Sequence, residues 1–69
     1  MVEVFKTNVT EAHQAASLLT ILTNHLPGCS INFDLQDCDN ILRVQGDRIP
    51  VSQIIELVSS NGYACRILE

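Results

Sequence analysis

The period at which apolar residues recur switches repeatedly along this chain, and no other feature limits its fold so strongly. Ile31-Asn32-Phe33-Asp34-Leu35-Gln36 alternates apolar and polar residues without a break. A period of two turns Ile31, Phe33 and Leu35 toward a core and leaves Asn32, Asp34 and Gln36 toward water, as in a half-buried strand. Earlier in the chain, Ala12, Ala15, Ala16, Leu19, Leu22 and Leu26 recur at helical spacing, with Leu18 on the flank. That spacing predicts an amphipathic helix with His13, Gln14, Ser17, Thr20 and Asn24 outward. Pro27-Gly28 ends it, because proline cannot continue a helix and glycine accepts a left-handed turn. Thr10 is the expected N-cap, which would put Glu11 in the first turn, near the positive end of the helix dipole.

The remaining segments follow the same logic. Val2, Val4 and Phe5 predict a first strand over 2–6. Its apolar residues fall at both parities, which suits an interior strand covered on both sides or a partner-facing surface. Asp37-Cys38-Asp39-Asn40 reads as a polar turn, returning into a strand over 41–45 with Leu42 and Val44 inward. Ile49, Ile54, Leu57 and Val58 mark a second helix, with Pro50 near its first turn and Asn61-Gly62 as its stop. The last strand spans 63–68, with Tyr63, Cys65 and Ile67 at one parity. The order strand, helix, strand, strand, helix, strand predicts an α+β fold, a ferredoxin-like βαββαβ sandwich. One four-stranded antiparallel sheet would carry both helices on one face.

The 69 residues are expected to form one domain, 1–69, since that length leaves no room for a second. A chain this short buries only about 60 % of its unfolded surface, so its core is small. The net charge of −4 sets eight carboxylates against Lys6, Arg43, Arg48 and Arg66. Four cations dispersed along the sequence argue against nucleic acid and anionic membranes, which need clustered Lys and Arg. No apolar run approaches the ~20 residues that span a bilayer. Met1-Val2-Glu3-Val4-Phe5-Lys6 lacks the pattern of a signal peptide, so the expected location is cytoplasmic. Cys29, Cys38 and Cys65 are an odd number, nine and 27 positions apart, and form no CxxC. Free thiols in a reducing compartment are the expectation.

Phe5-Lys6-Thr7-Asn8-Val9, Ile31-Asn32-Phe33-Asp34-Leu35, Ile41-Leu42-Arg43-Val44-Gln45-Gly46-Asp47 and Gly62-Tyr63-Ala64-Cys65 together resemble the heavy-metal-associated domains. That family includes copper chaperones and the metal-binding modules of metal-transporting ATPases. The resemblance covers nearly the whole chain and implies the same sandwich. It implies further that the family's metal would sit at a CxxC where the first strand meets the first helix. Two thiolates three residues apart there form a soft site for Cu(I) or Zn(II). Counting on from Thr10, those two positions are Glu11 and Gln14, so both thiolates are missing. Neither a carboxylate nor an amide replaces a thiolate for Cu(I).

Two readings of function follow. The first is a non-enzymatic binding module that has lost the thiolate site and acts through protein contacts, without a cofactor or bound metal. The resemblance puts its contact surface around Val9, Glu11, His13 and Tyr63. The acidic balance fits a protein partner with a basic face, and the domain would be a monomer or weak dimer. The second is a metal carrier or sensor using Glu11 and His13 as oxygen and nitrogen ligands for Zn(II), Ni(II) or Cu(II). Residues two apart on a helix do not share a face, which weighs against that pair. His13 and His25 would lie about 18 Å apart along the helix and cannot share an ion. No phosphate loop, catalytic triad or placed carboxylate pair is present, so no enzyme is expected.

Overall fold

Phe5 and Leu42 face each other across the two central strands of a sheet, and both are 0 % exposed. The computed structural model describes residues 1–68 of the chain. In chain order the elements are β1 (Val2–Thr7), α1 (Ala12–His25), β2 (Ser30–Asp34), β3 (Ile41–Gln45), α2 (Val51–Ser60) and β4 (Cys65–Ile67). The sheet order is β2-β3-β1-β4 with every neighbouring pair antiparallel. β3 thus separates β1 from the parallel β2, and β1 separates β3 from the parallel β4. These two split crossovers make the ferredoxin-like α+β sandwich, with both helices on one face.

Register fixes what each face of the sheet carries, because directly paired residues point to the same side. Phe5, Thr7, Phe33, Leu42, Val44, Cys65 and Ile67 lie on the helix side. There Phe5, Leu42 and Val44 join Leu22, Leu26, Ile54 and Val58 in the larger core cluster. A smaller cluster of Val9, Ala15 and Leu18 lies beside it, and both Phe33 and Tyr63 pack against the two. Val4, Lys6, Ile41, Arg43 and Arg66 lie on the opposite, helix-free side. The mixed parity of β1 therefore belongs to a central strand with apolar residues on both faces.

Several expectations change in detail. The buried stripe of α1 is Ala15, Leu18 and Leu22, continued by Leu26, while Ala12 and Ala16 are exposed and Leu19 is half-buried. A leucine removes far more apolar area from water than an alanine, so the helix rotates to bury Leu18 and Leu22. β2 ends at Asp34 rather than Gln36, because the Asp34 carboxylate accepts the Gln36 amide (3.2 Å) and turns the chain. Ile31, Phe33 and Leu35 face the core as expected but stay half-buried, since β2 is an edge strand. β4 begins only at Cys65.

Before it, Tyr63 N–H donates to Val58 O (3.3 Å) and Gly62 N–H to Ser59 O (3.0 Å). With Gly62 at φ +92°, these bonds form a Schellman motif that ends α2 at the expected Asn61-Gly62. The four cations, dispersed in sequence, are not dispersed in space: three of them share the helix-free face. No helix of the described residues is long and apolar enough to cross a membrane.

Two outcomes test this core. Leu22→Ala removes a fully buried side chain and is expected to cost about 2–5 kcal/mol, read as a fall in the urea midpoint. A cost below 1 kcal/mol would contradict the burial of Leu22. Cys65 tests the helix side of β4. Burial pushes its thiol from 9.0 up to about 11, so the folded state keeps a proton that the unfolded chain loses first. Its contribution is intact below pH 9 and lost as pH rises toward 11. Partial exposure screens the effect to about 1–2 kcal/mol, and Cys65→Ala should flatten this part of the stability–pH curve.

Candidate functional site

The chain leaves β1 through a loop held by side-chain hydrogen bonds. The Thr7 hydroxyl donates to Asn40 O (2.6 Å) in the β2–β3 turn and accepts from Val9 N–H (3.2 Å). Thr7 N–H itself donates to Asp39 O (3.3 Å). Next to it, the Asn8 side-chain oxygen accepts the Ala64 N–H (2.8 Å), tying the start of the loop to the approach to β4. The β1–α1 loop, the β2–β3 turn and the α2–β4 connection thus meet at one end of the sandwich.

Val9 is 0 % exposed at this end and packs with Ala15 and Leu18. This corrects the expectation that it lies on a contact surface. The loop turns Val9 inward because the region under Phe33, Leu35 and Tyr63 must be filled by an apolar side chain. Val9 is the floor below the surface. Above it, Glu11 and His13 are exposed and Tyr63 is half-buried, its ring resting on both core clusters.

The N-cap of α1 is Glu11 rather than Thr10, with extended backbone at φ −109° and ψ 140°. Gln14 closes the cap from within the helix. Its Oε1 accepts Glu11 N–H at 3.2 Å and Thr10 N–H at 3.4 Å, two donors the helix leaves free. The E-x-x-Q spacing is a helix-capping spacing, and here the second side chain is used for that purpose. Glu11 and Gln14 are the two positions that the resemblance equates with thiolates.

Glu11 and His13 together offer one carboxylate and one imidazole, hard and borderline donors rather than soft ones. Among the described residues, only Asp37, Cys38 and Asp39 place three potential ligand atoms within 4.8 Å of one another. Neither Glu11 nor His13 belongs to that group. The Asp37 carboxylate accepts Asp39 N–H (2.9 Å), and the Asp39 carboxylate lies 3.4 Å from Lys6 Nζ. The trio is a hydrogen-bonded acidic turn beside the loop. Glu11, Asp37 and Asp39 give this end of the sandwich its negative charge.

The opposite end holds a feature that no motif announced. An open depression of about 700 Å³ lies between the end of α1 and the start of α2, lined by His25, Cys29, Arg48 and Gln53 among others. His25 Nδ1–H donates to Ile21 O (2.9 Å), satisfying a carbonyl at the helix C-terminus. The Cys29 thiol donates to Arg48 O (3.6 Å). Gly46 lies against the same turn, and a Cβ there would come within 3.1 Å of Cys29 Sγ.

Gln14→Ala should free two amides and cost about 0.5–1.5 kcal/mol. Amide exchange at Thr10 and Glu11 should accelerate while exchange in β3 keeps pace with the smaller global stability. Unchanged exchange at both amides would show that the Gln14 bonds do not hold the cap.

No protein-family model matches the sequence, and no curated protein does. Among solved structures the chain is similar to PacS, N-terminal domain, from Synechocystis PCC6803. The TM-score is 0.72 at 17% sequence identity, over 100% of this chain and 98% of that one. At that identity the likeness is one of fold, and the fold is the one that the resemblance to heavy-metal-associated domains implies.

Proposed function

We propose that the domain is a non-enzymatic binding module that acts through protein contacts at its loop end. The observation that carries this reading is the cap of α1. At Glu11 and Gln14 the i, i+3 pair engages backbone donors, with Gln14 Oε1 accepting both Thr10 and Glu11 N–H. Side-chain hydrogen bonds from Thr7, Asn8 and Gln14 hold the loop. What it presents is Glu11, His13 and the half-buried face of Tyr63, over a filled apolar floor.

A partly buried tyrosine beside exposed polar residues suits protein recognition, because such a ring gives large contact area at low entropic cost. Glu11, Asp37 and Asp39 make the neighbourhood negative, and a partner with a basic face complements it. The domain performs no chemistry of its own in this reading.

The test is an amide NMR titration of the reduced protein, combined with photo-crosslinking from position 13. Zn(II), Ni(II) and Cu(I) are expected to give no saturable, chelator-reversible shifts at Glu11, His13 and Tyr63. A crosslinked partner protein should form from position 13 but not from Gln53 on α2, and Glu11→Lys should abolish it while the domain stays folded, with only the small loss of stability that a changed N-cap brings. Metal shifts that His13→Ala removes would replace this reading with that of a carrier using Glu11 and His13.

A further inference from the structure

The sheet surface turned away from the helices is cationic, although the chain as a whole carries a net charge of −4. Arg43 pairs with Val4 across β1 and β3, Lys6 pairs with Ile41 there, and Lys6 pairs with Arg66 across β1 and β4. From β2, Asn32 flanks Arg43, and Asp34 pairs with Ile41, so the strands set one carboxylate against the three cations of this face. Three strands far apart in sequence thus deliver Lys6, Arg43 and Arg66 to one surface. Leu68 N–H donates to Val4 O (2.9 Å), which extends the β1–β4 register and places Leu68 beside Val4 on the same face. Both are half-buried apolar residues.

The arrangement works against stability. Like charges directly opposite each other on antiparallel strands repel, and Lys6 faces Arg66 in that way. Asp39 offsets part of this through Lys6, but Arg43 and Arg66 are exposed and make no ion pair among the described residues. Where a local rule of stability is broken with no compensating contact, function is the usual reason.

We propose that this face docks an acidic protein segment in which carboxylates are interspersed with apolar side chains. The guanidinium groups of Arg43 and Arg66 take the carboxylates, since their planar forks match carboxylate geometry. Val4 and Leu68 take the apolar side chains between them. Nucleic acid is the poorer match. Three phosphate contacts give a salt slope of only about 2–3 in magnitude. The face offers no aromatic ring for base stacking among the described residues, because Phe5 and Phe33 lie on the helix side. This surface is distinct from the loop end, and each gives its own set of perturbed amides, so either reading can fail alone.

The experiment titrates labelled protein with three probes: a peptide of mixed Asp, Glu and Leu, the same peptide with Asn and Gln for Asp and Glu, and single-stranded oligothymidylate. Saturable shifts centred on Val4, Arg43, Arg66 and Leu68 are expected with the acidic peptide, and binding about tenfold or more weaker with the neutral one. Arg43→Glu with Arg66→Glu should abolish binding. Arg66→Glu alone should weaken it while leaving the melting temperature at or above that of the parent, since Lys6 gains an opposite charge across the strand. The proposal is overturned by any of four results. These are no response at millimolar acidic peptide, an equal response to the neutral peptide, tighter binding of oligothymidylate, or dilution-dependent shifts on this face without any probe, which would make it a contact between copies of the chain.

Discussion

The Thr7 hydroxyl joins three pieces of backbone that no ladder connects. It donates to Asn40 O in the hairpin turn and accepts Val9 N–H from the loop that follows its own strand. At 5 % exposure it is the one buried polar side chain among the described residues, so these groups have no water to fall back on. A valine would fit the same space and leave a buried donor and acceptor unmade, at a cost of about 1–3 kcal/mol. With that hydroxyl in place Val9 turns inward, the smaller cluster closes under Tyr63, and Glu11 arrives at the start of α1 in an extended conformation.

The two surfaces of interest differ in how they are built. The loop end combines two local devices, the Gln14 cap and the Schellman turn, with one long-range tie, the Asn8 side chain on Ala64 N–H. The helix-free sheet face is made wholly by non-local pairing between β1, β3 and β4. Opposite charge accompanies the two constructions, carboxylates at the loops and cations on the sheet. The two regions meet where Lys6 Nζ lies 3.4 Å from the Asp39 carboxylate, while Arg43 and Arg66 stand exposed on the sheet, so an acidic chain is not uniformly acidic to a partner.

This difference also explains what was legible in the sequence. Ile41–Gln45 is the third strand as expected because Leu42, Arg43, Val44 and Gln45 alternate apolar and polar, a purely local signal. α1 starts at Ala12 as its spacing predicts, but its buried stripe was misplaced by counting alanine equal to leucine. Thr10 is the better N-cap by residue type, yet only the Gln14 side chain decides between Thr10 and Glu11. Val9 looks like a loop residue on a surface, and only its packing with Ala15 and Leu18 under Tyr63 shows where it goes. Lys6, Arg43 and Arg66 stand far apart in the chain, and register alone gathers them. Tertiary pairing leaves no trace in local periodicity.

Tyr63 has a practical consequence. It is the chain's one tyrosine, and there is no tryptophan. The Schellman turn seats its ring against both core clusters, directly beside the loop end. Its near-ultraviolet emission and circular dichroism therefore report two events with one chromophore, loss of the packed core and coverage of the loops. The domain carries its own optical probe at the place where a partner would be felt, and it needs no label to be watched.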